Sequence, residues 1–212
     1  MYVGLAVKAD TFTDILAAMT VLTLLIGNVV AVSQSDVKRM LAFSSISHAG
    51  YMLIAVLSLN MSSDNGLLFY TLAYSVATIV AFLGLYIVGN AKGTTLVSDF
   101  RGLGRSQPVL AVAMVVAMLS MAGIPPLAGF MAKYYIFANA LKQGYLWLVL
   151  FAIVMSLVGV YYYFKVIIAM FFEQDTEGSR FDINPLQTIL LVVGCVLLLV
   201  LGILPNLVYN LL

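Results

Sequence analysis

Two ionisable side chains inside long apolar stretches are the residues best suited to chemistry. Lys133 lies in the stretch from Pro108 to Leu141, and His48, the only histidine, lies in the stretch from Met40 to Leu59. An ionisable residue within a membrane-spanning segment is by default a candidate for a proton or ion path. Histidine gains and loses a proton near neutral pH, and a buried lysine, unlike arginine, can release its proton. The chemistry that these residues predict is proton transfer.

The stretch that carries Lys133 is too long for one straight helix across a bilayer. Residues 108–141 would rise about 50 Å as a helix, against a hydrocarbon core of roughly 30 Å. Gly123, Pro125 and Pro126 interrupt it. The two prolines lack backbone donors, and a residue that precedes proline disfavours the helical conformation. The sequence therefore predicts two half-helices, a form that occurs where the break is buried in protein or lines a wet cavity.

Both candidate residues are expected deep in the membrane. Nine helical residues separate Lys133 from Lys142, where the chain reaches water, and place it about 13 to 14 Å inside. Ten residues separate His48 from Lys38, or about 15 Å. Two alternatives remain open. The long side chain of Lys133 could extend to the membrane interface, with the glycine and prolines forming only a kink in the helix. His48 could stay neutral and hold helices together through hydrogen bonds.

A polar stripe on the second apolar stretch accompanies the histidine. Ser44, Ser47, His48 and Tyr51 follow one another at helical steps of three and four, so they share one helix face. We expect Ser44 and Ser47 to form hydrogen bonds that pack helices together. Four further residues could extend the polar interior: Asn28, Tyr74, Ser75 and Thr78.

The fold predicted for this chain is all-α, a polytopic membrane protein with about six transmembrane helices, the fourth discontinuous. The composition is 63% hydrophobic and 9% charged, which is typical of an integral membrane protein and gives no indication of a nucleic-acid partner. The connections are short and polar, and transmembrane β-strands would need shorter, alternating runs. The apolar stretches of spanning length are 12–32, 40–59, 67–88, 108–141, 145–172 and 186–204.

The basic residues predict the orientation, because Lys and Arg in short loops favour the cytoplasmic side. Most basic residues fall on one side of the predicted membrane, and only Lys8 and Lys142 fall on the opposite side, so both termini are predicted to be non-cytoplasmic. The N-terminus shows no cleavage-type signal, so we expect no segment to be removed. Lys165 follows a run of four aromatic residues, 161–164, and is predicted to reach the interface below an aromatic belt. The residues on the predicted cytoplasmic side are Lys38, Arg39, Lys92, Arg101, Arg105, Lys165 and Arg180.

Metal and redox chemistry are not expected within this chain. One cysteine, Cys195, and one histidine do not suffice for protein-only ligation of a metal or cluster of the usual kinds. Every aspartate and glutamate lies at the end of an apolar stretch or in a connection, whereas sodium coupling would call for a carboxylate inside the membrane. Protons are therefore the favoured cargo.

Two segments resemble signature stretches of a known family. They are SDVKRMLAFSSISHAGYMLIAV, from Ser35 to Val56, and MAGIPPLAGFMAKYYIF, from Met121 to Phe137. They are similar to the antiporter-like membrane subunits of proton-pumping NADH:quinone oxidoreductase, respiratory complex I, and most similar to subunit N, called subunit 2 in mitochondria. The L and M subunits and Mrp-type cation antiporter subunits are also similar, although GIPPLAGFMAK fits them less well. The resemblance covers essentially the whole chain.

The resemblance implies a place for each part of the chain. These subunits contain two inverted five-helix repeats, each with a broken fourth helix. Residues 1–172 would form the second repeat, and residues 173–212 a connecting loop and a final transmembrane helix. Lys133 would exchange protons with the positive side of the membrane, and His48 would lie near the central hydrophilic axis. The first repeat is absent, so the chain would be a C-terminal half or the product of a split gene, or another chain would supply that repeat.

The resemblance also implies a function, which is proton translocation as a membrane subunit of the enzyme. NADH, FMN, iron–sulfur clusters and quinone would be handled by other subunits. Partners would be other membrane subunits, including whatever supplies the first repeat, and the lipid bilayer of a bacterial inner membrane. The alternative is a subunit of a Mrp-like monovalent cation/proton antiporter, and a third reading is a structural membrane scaffold. An isolated half should expose its polar stripe to lipid, so we expect it to depend on partners.

Overall fold

The structure is a computed structural model that describes residues 2–58, 64–174 and 181–209, with side chains described from residue 12 onward except at 64 and 209. The described residues form a bundle of α-helices. A short 3-10 turn at Val97–Phe100 precedes α4. The helices are α1 Tyr2–Val32, α2 Val37–Leu57, α3 Asp64–Lys92, α4 Leu103–Ser106, α5 Pro108–Ala122, α6 Ala128–Lys142, α7 Leu146–Phe172, α8 Pro185–Ile203 and α9 Asn206–Tyr209.

Five of these helices are long and apolar enough to cross a membrane. They are the spans at 12–32, 37–57, 65–92, 146–172 and 185–203. The remaining predicted span, the fourth in chain order, is the pair α5 and α6, each of 15 residues. The all-α prediction and the discontinuous fourth span are confirmed, and the chain is an integral membrane protein. The second span begins earlier than predicted because Asp36 caps α2, its carboxylate accepting from the Arg39 amide at 3.0 Å.

Three connections meet at one end of the bundle. The Val37 amide donates to the Thr95 carbonyl at 2.8 Å, and the Val97 amide donates to the Ser35 carbonyl at 2.9 Å. These bonds join the α1–α2 and α3–α4 connections, and Arg101 pairs with Glu173 after α7. Lys38, Lys92 and Arg105 lie near the same end, as the charge pattern predicts, whereas Arg180 lies outside the described residues.

The aromatic run before Lys165 is not an interfacial belt. Tyr161 is exposed, but Tyr162 and Tyr163 are 2% and 1% exposed. Lys165 donates from Nζ to the Gln34 carbonyl at 2.9 Å, at the end of α1. The belt prediction is therefore wrong for the two central tyrosines, because the rotation of α7 turns them into the bundle while their neighbours face outward.

The break between α5 and α6 follows from its residues. Gly123 adopts a left-handed conformation (φ 88°), and its amide and that of Ile124 both donate to the Leu119 carbonyl, at 3.1 and 3.0 Å. This pattern ends a helix because it redirects the chain while it satisfies a terminal carbonyl. The two prolines that follow have no amide hydrogen to continue the ladder. Beyond them α6 begins at Ala128.

Glycines hold the break against its neighbours. A Cβ at Gly129 would overlap the Ser120 carbonyl oxygen, so α5 and α6 approach backbone to backbone at this point. A Cβ at Gly202 would overlap the Pro126 carbonyl oxygen and lie 2.6 Å from the Leu127 carbonyl carbon. The last long helix, α8, therefore contacts the break directly.

The polar residues of the second span are buried within the bundle. Ser44 and Ser47 are each 1% exposed, and Tyr51 and His48 are 2% and 5% exposed. The expectation that this stripe would be exposed to lipid in the isolated chain is wrong, because the chain's own helices α3 and α7 supply partners for it. Large apolar side chains such as Leu157 instead cover much of the outer surface.

Candidate functional site

Lys133 lies on α6 beside the carbonyl that the break leaves free. Its side chain is 7% exposed, and Nζ donates to the Ala122 carbonyl at 2.9 Å and to Ser156 Oγ at 2.7 Å. Ser156 Oγ in turn donates to the Ala122 carbonyl at 3.3 Å. Ala122 is the last residue of α5, and the last carbonyls of a helix lack partners within it. The break therefore supplies the acceptor that holds the amine.

Neutral groups surround the Lys133 amine. Nζ lies 4.8 Å from the centroid of the Tyr51 ring, a distance suited to a cation–π contact. Among the residues that the structure describes, no carboxylate forms a salt bridge with the Lys133 amine. The helix dipole contributes as well, because cations are stabilised near a helix C-terminus such as the end of α5. Any positive charge on Nζ is thus held by dipoles and a ring face alone.

His48 has a hydroxyl partner at each ring nitrogen. Nδ1 lies 2.7 Å from the Tyr70 hydroxyl and Nε2 lies 3.3 Å from the Tyr163 hydroxyl. The ring stacks on Tyr74 with centroids 4.4 Å apart. The Tyr163 hydroxyl also bonds to Ser44 Oγ. A chain of hydrogen-bonding groups therefore runs from Ser44 through Tyr163 and His48 to Tyr70, and such groups can pass a proton along.

The remaining polar residues show different environments. Asn28 donates to the Leu24 carbonyl at 2.8 Å and accepts from the Tyr162 hydroxyl at 3.4 Å. Ser47 Oγ is buried and has no hydrogen-bond partner among the residues that the structure describes, so the hydrogen bond predicted for it is wrong. Ser47 lies instead against Gly27, where a Cβ would stand 2.5 Å from its Oγ. Ser47 therefore lies at a close contact between α1 and α2.

Two cavities meet the Lys133 side chain. An inner cavity of about 10 Å³ separates it from His48 and is also lined by Tyr70, Tyr74 and Ser120. That volume is enough for about one water molecule. An outer groove of about 380 Å³ opens between α6 and α7, with Lys133 and Ser156 among its lining residues. The lysine therefore stands between a small cavity shared with the histidine and a groove on the side of the bundle.

Sequence reasoning brought out Lys133, His48, Ser44 and Tyr51, which the structure places in one buried region, and Gly123, Pro125 and Pro126, which form the break beside it. It missed Ser156. A lone serine in the apolar stretch 145–172 is a signal for it, although only the structure shows which residue it meets. It also missed Tyr70 and Tyr163 as hydrogen-bond partners of the histidine, and it named Tyr74 only as a possible extension of the polar interior, not as the ring that stacks on His48.

A sequence profile of a known family matches residues 1–159 of the chain. That family is described as NADH:quinone oxidoreductase/Mrp antiporter, transmembrane. The chain belongs to this family. Members similar to it include subunit N of NADH-quinone oxidoreductase from Desulforamulus reducens, 40% identical over 197 residues, which are 93% of this chain and 41% of that protein. Subunit N from Trichlorobacter lovleyi is 40% identical over 205 residues, 96% of this chain and 42% of that protein.

Solved structures of this antiporter-like family share the fold. A chain of respiratory complex I from Thermus thermophilus, solved with bound aureothin, superposes with a TM-score of 0.82 at 39% identity, over 93% of this chain and 45% of that one. A chain of the Mrp complex from Dietzia sp. DQ12-45-1b superposes with a TM-score of 0.84 at 22% identity, over 94% and 46%, which supports the fold alone. This chain spans about two fifths of the length of the curated relatives it matches.

Proposed function

We propose that this chain is part of a membrane-arm subunit of a proton-translocating NADH:quinone oxidoreductase, in which it provides a segment of a proton channel. The observation that carries the proposal is the buried Lys133 amine, held by the Ala122 carbonyl freed at the helix break and by Ser156. Its subunit-N relatives, 40% identical across nearly the whole chain, favour this complex over other members of the family.

The proposed role of Lys133 is to take up and release one proton. An amine surrounded by neutral groups can exist with or without its proton, whereas a guanidinium would stay charged. The protonated amine donates to Ser156 Oγ, and the deprotonated amine can accept from the same hydroxyl, so both states have a partner. Water in the inner cavity would connect the amine toward His48, and the outer groove would offer a second direction of exchange.

His48 is proposed as a second member of this relay, with Tyr70 and Tyr163 as its hydroxyl partners. We expect His48→Ala to reduce translocation while the chain still assembles, and His48→Gln to reduce it as well, because an amide can hold a hydrogen bond to Tyr70 but does not titrate. The loss of the Tyr70 partner in the alanine variant should cost about 1–3 kcal/mol of stability. Proton uptake and assembly are measured together in membrane vesicles. Full translocation by His48→Gln would leave the histidine a packing residue.

The rest of the assembly is part of the same proposal. Residues 1–172 would form the second five-helix repeat, and residues 173–212 the connection and the final helix. Another segment or chain would supply the first repeat, and other subunits would carry NADH, FMN, iron–sulfur clusters and quinone. The setting would be a bacterial inner membrane with both termini on the non-cytoplasmic side, supported by the bacterial relatives and by the basic residues at one end of the bundle.

This orientation predicts which ends react with an impermeant thiol reagent. In a Cys195→Ser background, Gln143→Cys should react in intact cells, whereas Ala91→Cys should react only after the membrane is opened. Both positions are exposed at opposite ends of the bundle, so accessibility to solvent is matched. Labelling of Ala91→Cys in intact cells with protection of Gln143→Cys would reverse the orientation.

One experiment separates the proposed function from its alternatives. Inverted membrane vesicles with and without this chain are given NADH, and acidification is followed with a pH-sensitive dye. We expect NADH-driven acidification to require the chain. If the chain instead allows Na⁺ to dissipate an existing pH gradient, it is a Mrp-like antiporter component, whose fold it shares. If neither activity depends on it, the scaffold reading holds.

A further inference from the structure

A second candidate site lies apart from Lys133, at the end of the bundle where the basic residues gather. A pocket of about 710 Å³ opens between the start of α2 and the connection that follows α3. Its lining includes Lys38 and Arg39 from the first turn of α2 and Gly93, Thr94 and Thr95 from the connection. The pocket lies where two membrane-spanning helices reach the polar interface, so its ligand can come from the lipid or from solution.

The two cationic side chains of this pocket have no protein partner. Lys38 and Arg39 are exposed, and neither side chain forms an ion pair or hydrogen bond with a residue that the structure describes. The Asp36 carboxylate also lines the pocket, where it accepts from the Arg39 amide at 3.0 Å and from Thr95 Oγ1 at 3.1 Å rather than from either cationic side chain. By contrast, Arg101 at the same end of the bundle pairs with Glu173. The pocket therefore presents two positive charges beside one carboxylate, so its net charge is positive.

The floor of the pocket is formed by small residues. Ala42 lies one helical turn below Lys38 on α2, and Gly89 lies near the end of α3. A Cβ at Gly89 would stand 3.1 Å from the Thr95 methyl group, so a larger side chain there would crowd the pocket. Deeper along the same helices, Ile46 and Tyr86 are exposed and continue the surface with apolar groups. A cationic rim above a shallow, apolar floor matches a headgroup attached to an acyl chain.

We propose that this pocket binds the phosphodiester headgroup of an anionic phospholipid, with Lys38 and Arg39 contacting the phosphate. A guanidinium offers a planar fork of donors that fits phosphate oxygens, and an ammonium adds a compact charge. Clusters of Lys and Arg at the cytoplasmic edge of transmembrane helices recognise anionic lipids by this chemistry. The acyl chains then lie over Ala42 and along the exposed faces of α2 and α3. This inference goes beyond proton translocation and does not depend on it.

Lipid binding is measured by native mass spectrometry of the full chain, with any subunits that accompany it, after detergent exchange and addition of phosphatidylglycerol or phosphatidylcholine. We expect the wild type to prefer phosphatidylglycerol. Lys38→Gln with Arg39→Gln should lower its affinity by about tenfold to thirtyfold. Lys142→Gln removes one positive charge at the opposite end of the bundle and should change nothing, whereas Lys38→Gln, which also removes one, should weaken phosphatidylglycerol binding. High salt should weaken the wild-type preference, because the two cations are exposed.

A second variant tests the pocket without a change of charge. Ala42→Leu fills the floor and should weaken phosphatidylglycerol binding, while circular dichroism and gel filtration verify that it folds. Wild-type binding by both the double variant and Ala42→Leu would overturn the proposal. Inorganic phosphate and glycerol 3-phosphate are tested as competitors. If either competitor displaces phosphatidylglycerol at a concentration close to that of the lipid, the pocket is a site for soluble phosphates and the lipid assignment is wrong.

Discussion

Lys133→Ala is expected to remove most proton translocation while the chain still assembles. A positioned proton donor or acceptor contributes roughly 10²- to 10⁴-fold to a transfer step, so the rate should fall toward the background leak. The structure explains why assembly should survive. Ser156 Oγ already donates to the Ala122 carbonyl at 3.3 Å, so that carbonyl keeps a partner when the amine is gone. No buried charge is left unpaired.

Three further variants make this test specific. Lys133→Arg keeps a positive charge but cannot release its proton, so it should not restore translocation. Lys142→Ala removes an exposed lysine from the end of the same helix and should be normal. Ser156→Ala leaves the lysine its carbonyl partner and should cause a partial defect. Protons moved per NADH oxidised are measured beside the amount of assembled complex. Normal translocation by assembled Lys133→Ala would leave this lysine without a role in the channel.

Gly202→Ala is expected to destabilise the protein and disturb the helix break. The new methyl group would overlap the Pro126 carbonyl oxygen and crowd the Leu127 backbone, and backbone atoms cannot move aside by changing a rotamer. Overpacking of a well-packed core typically costs about 1–3 kcal/mol, and a contact with backbone should lie at the upper end of that range. Because the displaced segment leads into α6, translocation should fall together with stability.

Gly194 on the same helix provides a matched control. A Cβ there would overlap a methyl group of Val80, which is a side chain and can be shortened. We expect Gly194→Ala combined with Val80→Ala to be close to the wild type, since alanine also favours the helix over glycine by about 1 kcal/mol. Thermal unfolding in detergent compares the two sites. A Gly202→Ala protein as stable as this double variant would show that α8 does not brace the break.

The sequence determined where the membrane spans lie and where the fourth one is interrupted. Both are local properties. A helix spans when enough consecutive residues are apolar, and it breaks where Gly123 turns the chain and the two prolines cannot donate. The rise per residue of a helix likewise predicts a deep position for Lys133, counted back from Lys142.

Only the tertiary structure decided which polar groups meet. His48 Nε2 and the Tyr163 hydroxyl are 115 residues apart in sequence, and Lys133 and Ser156 lie on different helices. Such contacts depend on the rotation of each helix about its axis, which packing sets and composition does not reveal. In the aromatic run 161–164 the rotation of α7 buries Tyr162 and Tyr163 and exposes Tyr161. Ser47 likewise lies against Gly27, at the close contact between α1 and α2, and its Oγ has no hydrogen-bond partner among the described residues.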